Sequence, residues 1–403
     1  MPIIVQKYGG TSVADADRIR AVAQRVVRAR EEGYDVVVVV SAMGDQTDGL
    51  MSMAHEITPM PDPRELDLLL TAGERIAMSL LGIAINSLGY KAASYTGSQA
   101  GIITDSDHGK AKIVDVRPGR IVEALKEGRA VIVAGFQGVS TAADVTTLGR
   151  GGSDTTAVAL AAALSADLCE IYTDVEGVYT ADPHLEPNAR KLRAVTYEEM
   201  LELAACGAKV LQLRSVEYAR RNKVPLHVRS SFTDEEGTMI TEEGEQMEQA
   251  LISGVAHDEG EAKVTIQDVP DKPGVAATIF KAIAADGVNV DMIVQNVSHD
   301  GTTDMSFTAP KSDLPGLGEV MDRVVSDIGA AKYTVDADIA KVSLVGAGMK
   351  SHPGVAADMF EALAAEGINL EMISTSSIRI SCVIRAADVE RAVRAVHARF
   401  NLA

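Results

Sequence analysis

Residues 3–12 read IIVQKYGGTS: an apolar run, a lysine, two adjacent glycines and two hydroxyl side chains. The β-branched run predicts a buried strand, and Gly9 with Gly10 gives the chain a turn at its end. Two more glycine turns share this form, SAMGDQTDG at 41–49 and LGRGGSDTT at 148–156. Further strand-like runs, DVVVVVSA, AVIVAGFQG, CEIYTDV and LHVRSSF, alternate with helix-period segments as far as about residue 232. Such alternation is the signature of an α/β domain with a largely parallel sheet. DADRIRAVAQRVVRAREEG, RELDLLLTAGERIAMSLLGIAINSLG and GGSDTTAVALAAALSAD are the helices expected to pack on it. A Walker-type loop, G-x-x-x-x-G-K-[ST], places its lysine after the glycines, whereas Lys7 precedes them. The lysine therefore ends a strand, and a ligand crevice is expected at the carboxyl edge of the sheet.

The acidic stretch SFTDEEGTMITEEGEQMEQA, residues 231–250, reads as a linker or surface hairpin, and the domain boundary is placed near residue 245. Beyond it PGVAATIFKAIAADGVNVDMI at Pro273 returns as PGVAADMFEALAAEGINLEMI at Pro353, an offset of 353 − 273 = 80 residues. AKVT at Ala262 and AKVS at Ala340 precede the copies, and strand-like TTDMSFTA and SIRISCVI follow them. The C-terminal third is thus two copies of one small α+β module. The expected domains are 1–245, 246–335 and 336–403, with a strand near 251–258 offered as a completing piece of the last.

A length of 403 residues suits two or three domains, and a net charge of −19 without a basic stripe disfavours nucleic acid. Cys169, Cys206 and Cys382 lie far apart with no C-x-x-C spacing, so neither a disulfide frame nor a zinc site is signalled. The apolar stretch AVALAAALSADLCEIY is broken by Ser165, Asp167 and Glu170, and PIIVQKYG after Met1 lacks the form of a signal peptide. A cytoplasmic protein with small-molecule partners and no membrane segment is expected.

In LGRGGSDTT, Gly151 and Gly152 admit a ligand to the backbone, while Asp154 either caps the next helix or holds a cation. Lys7 and Lys209 are the candidate cations. The eight histidines form no H-E-x-x-H pair and follow no Ser-His-Asp order. Phosphoryl transfer to a carboxylate needs no base, since the nucleophile is already ionised. Its obstacle is charge repulsion, about 4 kcal/mol for two unit charges about 4 Å apart at an effective dielectric near 20, and lysines, magnesium and backbone donors relieve it.

KYGGTS, VSAMG, TAGER, TTLGRGGSDTTA, IYTDVEGVYTADP and ACGAKVL stand in the order seen in aspartate kinases of the amino acid kinase family, and the tandem repeats resemble that family's ACT regulatory domains. The resemblance covers essentially the whole chain. It implies an amino acid kinase fold, a three-layer αβα sandwich with a largely parallel sheet, followed by two βαββαβ ACT-type domains. It also implies transfer of the ATP γ-phosphoryl group to the side chain of L-aspartate, with Mg2+ carried mainly by the nucleotide and no metal site of the protein. Lys7, Asp154 and Lys209 would be catalytic, Asp154 orienting the two lysines. ATP would meet Lys7, Tyr8, Gly9, Gly10, Ser41, Thr173, Asp174, Tyr179, Asp182, Lys209 and Val210. Aspartate would meet Thr47, Glu74, Arg150, Gly151, Gly152 and Ser153, with Glu74 on its ammonium and Arg150 on a carboxylate. Many relatives carry arginine where His184 follows ADP, which puts a nucleotide contact there in doubt. Bland alternatives stay open: Glu74 with Arg75 as a solvated pair, Tyr179 as a core aromatic, Lys209 as a helix-end cation.

In each repeat the Pro-Gly before the helix is a natural seat for an amino-acid carboxylate. The first pocket would use Asp271, Pro273, Gly274, Val275, Ala276, Asn289, Asp291 and Gln295, and the second His352, Pro353, Gly354, Val355, Asn369, Ser374 and Thr375. The resemblance implies lysine and threonine as effectors, the lysine, threonine and methionine route as the pathway, and a homo-oligomer or a heterotetramer with a short regulatory chain starting near Met247. A glutamate-type kinase and an inert ACT amino-acid sensor are the alternatives, and the repeats could also serve only for dimerisation.

Overall fold

In chain order the N-terminal half runs β1 (Ile3–Tyr8), α1 (Ala16–Glu31), β2 (Asp35–Val40), α2 (Gln46–Ile57), α3 (Pro63–Leu70), α4 (Ala72–Ser87), β3 (Ala92–Tyr95), β4 (Ile102–Thr104), β5 (Ile113–Val116), α5 (Gly119–Lys126) and β6 (Ala130–Ala134). It continues through β7 (Gln137–Ser140), β8 (Val145–Thr147), α6 (Gly152–Leu164), β9 (Leu168–Thr173), β10 (Ala194–Thr196), α7 (Tyr197–Ala205), α8 (Leu213–Asn222), β11 (Leu226–Ser230) and β12 (Thr238–Thr241). This computed structural model describes residues 1–208, 210–242, 252–296, 301–352 and 354–403. They fall into two units, and Tyr179–Arg190 and Ala205–Ala208 belong to the second.

The first unit is built on a sheet of order β10-β12-β11-β9-β1-β2-β6-β3, in which only the β11–β12 pair is antiparallel. Register sets the site: Tyr8 stands opposite Val40 and Tyr172, and Val40 opposite Ala134. Three strands therefore end level and β9 runs one residue further, and Gly9, Ser41, Gly135 and Asp174 follow them along one edge. Five consecutive valines of β2, Val36–Val40, are fully buried, each contributing about 1.5–3 kcal/mol of transfer free energy. Helices α1 and α4 pack on one face and α6 on the other, which gives the three layers. Helix α1 starts where Asp15 accepts from the Asp17 and Arg18 N–H groups, and buries Ile19, Val22, Ala23, Val26 and Ala29. Helix α6, GSDTTAVALAAAL, is buried on every side from Gly152 to Ala161, as an apolar helix without a polar stripe must be, and only its last turn reaches the surface.

Three expectations change in detail. AVIVAGFQG is two strands, because Phe136 adopts φ 67° and sends β7 into a second sheet of order β5-β4-β7-β8. The segment 64–89 is two helices, which meet at Thr71. Pro63–Ser87 is long and apolar enough to cross a membrane by composition, yet half of its most apolar stretch is buried within the protein. The acidic 231–250 stretch contains β12, which closes the hairpin with β11.

The second unit runs β13 (Gly254–Asp258), β14 (Glu261–Pro270), α9 (Val275–Ala285), β15 (Ile293–Gln295), β16 (Thr302–Pro310), α10 (Leu314–Ile328), β17 (Lys332–Asp336), β18 (Ile339–Val345), α11 (Val355–Ala365), β19 (Met372–Thr375), β20 (Arg379–Arg385) and α12 (Val389–Arg399). The first repeat forms a sheet of order β15-β16-β14-β17, the second β13-β18-β20-β19. These are the same arrangement read from opposite ends. The outer strand that β17 supplies to the first module is supplied to the second by β13, from upstream of the first. The first repeat is thus inserted within the second. Ala181 joins the core of the second repeat, and the Thr180 hydroxyl, which donates to the Leu402 carbonyl, lies 3.0 Å from His397 Nε2. The modules exchange ion pairs reciprocally: Lys263 of β14 with Glu371, and Lys341 of β18 with Asp291 at 2.6 Å.

Candidate active site

Lys7 is the next-to-last residue of β1, on the face that α6 covers, and its ammonium lies 2.6 Å from Asp154 Oδ1. The two side chains are 12% and 10% exposed, so water screens the pair weakly. The N-cap of α6 is Gly151, in the left-handed region at φ 68°, and no side chain caps the helix. Asp154 is therefore not a cap but the partner of Lys7, held in the first turn of a helix that the sheet buries.

Around this pair the glycine turns converge by backbone contact. Gly10 accepts from the Gly44 N–H at 3.0 Å, and a Cβ on Gly10 would stand 2.9 Å from the Ala42 carbonyl. No other residue lets the first two turns approach so closely. The Gly9 N–H donates to the Tyr172 carbonyl at 3.2 Å, so this glycine extends the ladder rather than offering its own donor to a ligand. Gly10 and Thr11 precede the first internal bond of the following 3-10 turn, from Ser12 N–H to the Gly9 carbonyl. Ser41 is half-buried, and its N–H donates to the Tyr8 carbonyl. A Cβ on Gly135 would meet Ser153 Oγ at 2.7 Å, which explains the glycine at the third strand end, a position that sequence reading had not singled out.

Glu74 lies in the first turn of α4, only 3% exposed, and Oε1 accepts from the Ala42 N–H at 3.2 Å while Oε2 is buried without a partner. Burial, partly opposed by that N–H, pushes its carboxyl up to about 7. Arg75 is exposed, so the solvated-pair alternative is not what the fold builds. Gln46 Oε1 is a second buried acceptor without a partner, 3.5 Å from where a Cβ on Gly73 would stand. Sequence reading missed it, and its place beside Thr47 was the available signal. Thr47 is half-buried in the first turn of α2 and Ser153 is 8% exposed, whereas Arg150 is exposed on its turn with no partner among the described residues.

Thr173 donates to Asp174 at 3.0 Å at the end of β9. Tyr179 and Asp182 belong to the second unit, where Asp182 accepts from the His184 N–H at 2.9 Å. Lys209, Pro353 and Met247 lie outside the described residues. Asp271, Gly274, Ala276, Asn289, Gln295, His352, Gly354, Asn369 and Thr375 are exposed, Ser374 and Val275 half-buried and Val355 buried. Asp291 pairs with Lys341 instead of standing free for an effector amine. Burial alone would lower the Lys341 pKa, but Glu261 and Asp291 outweigh it and hold the ammonium charged.

On the opposite face of the central sheet a cavity of about 420 Å³ is lined by Gln6, Arg25, Glu170, Tyr172 and Arg229, among others. Glu170 accepts there from Gln6, Tyr172 and Arg229, while Arg229 Nε stays buried without a partner. Among the described residues no group of three or more His, Cys, Asp or Glu could hold a metal ion.

A lysine–carboxylate pair at the level edge of a parallel sheet, ringed by glycine turns, is equipment for stabilising a transferred anionic group. The chain belongs to the amino acid kinase family, whose profile matches residues 2–230, and ACT domain profiles match 263–328 and 342–400. Over its full length it is 58% identical to an aspartokinase of Mycolicibacterium smegmatis, covering 97% of that relative, and 54% identical to an aspartate kinase of Pseudomonas putida, covering 98%. The crystal structure of Escherichia coli aspartokinase III with aspartate and ADP in the R-state matches with a TM-score of 0.84 at 25% identity, covering 98% of this chain and 99% of that one. The T-state complex of the same enzyme with lysine and aspartate matches with a TM-score of 0.75 at 25% identity, covering 99% of each chain. Within the family the chain is thus an aspartate kinase, a phosphotransferase acting on a carboxyl group.

Proposed function

We propose that the enzyme moves the γ-phosphoryl group of ATP to a side-chain carboxylate oxygen of L-aspartate, giving ADP and 4-phospho-L-aspartate. The observation that carries the assignment of roles is the Lys7–Asp154 pair at 2.6 Å. Asp154 fixes the Lys7 ammonium where charge collects on the transferring group, and Lys209 acts with it. Gly10 and Thr11 offer N–H groups to the phosphates, with Ser41, Thr173 and Asp174 beside the nucleotide. Magnesium, when bound, neutralises phosphate oxygens and travels with ATP. The unpartnered Oε2 of Glu74 takes the aspartate ammonium, and Arg150 with Ser153 and Thr47 takes its carboxylates.

The enzyme is cytoplasmic and opens the route to lysine, threonine and methionine. Its ACT modules bind lysine and threonine, and the lysine complex of the Escherichia coli relative supports the first of these. Inhibition requires the effector to favour the inactive arrangement, with a coupling of about 1–3 kcal/mol. The chain assembles as a homo-oligomer or with a short regulatory chain beginning near Met247. A coupled ADP-release assay with aspartate against glutamate, repeated with millimolar lysine and threonine, tests this reading. Turnover on aspartate that falls when both amino acids are present supports it; equal turnover on glutamate, or indifference to both effectors, overturns the corresponding part.

A further inference from the structure

Asp67 lies in α3, 1% exposed, and its carboxylate gathers donors from two separate stretches of chain. His108 Nδ1 is 2.6 Å from Oδ2, and the Gly109 N–H donates to Oδ1 at 3.1 Å. The Thr147 hydroxyl, at the end of β8, donates to Oδ1 at 2.5 Å. From the first turns of α8, Arg214 bridges the same two stretches, donating to the Leu148 carbonyl at 3.0 Å and the Ala111 carbonyl at 2.8 Å. Backbone contacts agree: the Ala111 N–H donates to the Thr147 carbonyl at 2.9 Å, and a Cβ on Gly149 would stand 3.0 Å from the Gly109 carbonyl. The 105–111 loop is thereby clasped twice to the residues that lead into the Leu148–Gly152 turn.

That turn carries Arg150. An exposed arginine with a long side chain grips a dicarboxylate selectively only if its backbone is fixed, because ordering a loose turn on binding costs affinity. We propose that Asp67 and Arg214 are positioning residues for aspartate, holding the turn so that the Arg150 guanidinium meets the substrate carboxylate in one geometry. The inference rests on the role proposed above for Arg150. A buried carboxylate filled with donors on one side of the turn, and a guanidinium across two carbonyls on the other, make a rigid mount.

The test uses steady-state kinetics on the full-length enzyme, with circular dichroism to confirm folding. Arg214→Met and Asp67→Asn should each raise the aspartate KM about tenfold while kcat and the ATP KM stay within twofold. Arg214→Lys, able to reach one carbonyl, should recover part of the loss. Arg150→Met should raise the aspartate KM at least as much, and the Arg150→Met/Arg214→Met double variant should be no worse than Arg150→Met alone. An unchanged aspartate KM in folded Arg214→Met, or effects that multiply in the double variant, would overturn the positioning role. A raised KM in Arg214→Met beside an unchanged one in Arg150→Met removes the role given to Arg150 and leaves the positioning of the turn standing. If Asp67→Asn fails to fold, the two Arg214 variants decide the matter.

Discussion

Two of the lysines that meet carboxylates, Lys7 and Lys341, stand in contrasting surroundings. Lys7 faces one partner, Asp154, at the open edge of a sheet, and keeps 12% of its side chain exposed. Lys341 faces two, Glu261 at 2.7 Å and Asp291 at 2.6 Å, and is 1% exposed. The first has a single carboxylate partner. The second has two and joins two repeats. The number of carboxylates and the remaining exposure, rather than residue type, are what would separate the substrate-handling lysine proposed above from one that fastens structure.

The comparison breaks first at Lys7. Lys7→Met should lower kcat by about a thousandfold or more while leaving the circular dichroism spectrum and the aspartate KM nearly unchanged; an equal loss in binding and turnover would deny it a transition-state role. At Lys341 the opposite pattern is expected. Lys341→Met leaves two carboxylates facing each other, and chemical denaturation should show a loss of about 3 kcal/mol, with turnover in the absence of effectors unaltered.

Glu74 sharpens the contrast through pH. Its burial raises the folded-state value to about 7, above the unfolded one, so the free enzyme holds an extra proton and loses stability as pH rises through the window up to 7. The aspartate ammonium favours the ionised form, so the aspartate KM should fall as pH rises toward about 7. Glu74→Gln should raise that KM about thirtyfold and flatten its pH dependence. The smallest effects belong to the helix entries of the repeats. Gly274 and Gly354 have φ of 97° and 108° with open space around a would-be Cβ, so each Gly→Ala variant should cost only backbone strain, about 1 kcal/mol, read as a modest fall in Tm.

The strand-and-glycine pattern of the first 232 residues was legible because strand ends and turns are written locally. The Lys7–Asp154 pair was legible only as one of two readings, since the choice depended on Gly151 taking the cap position. The reciprocal pairing of Lys263 with Glu371 and Lys341 with Asp291 was present in the repeat as matched lysines and matched acids, but the repeat shows equivalence and not which copy an acid faces. Asp67 carries no local signal, because its donors come from loops some forty and eighty residues away. Tyr179 and Asp182 sit in a run that reads as continuous with β9, and nothing local tells that Tyr179–Arg190 joins the other unit.

The strand Gly254–Asp258 has a practical bearing on how the regulatory part can be cut. It closes the edge of Ile339–Val345, pairing from Gly254–Val345 to Asp258–Lys341. A fragment designed to start at the first repeat's own opening strand, Glu261, would look complete by sequence similarity yet expose the backbone of a fully buried strand. Such an edge invites pairing between chains, so soluble expression of the tandem modules depends on keeping residues 254–258 in the insert.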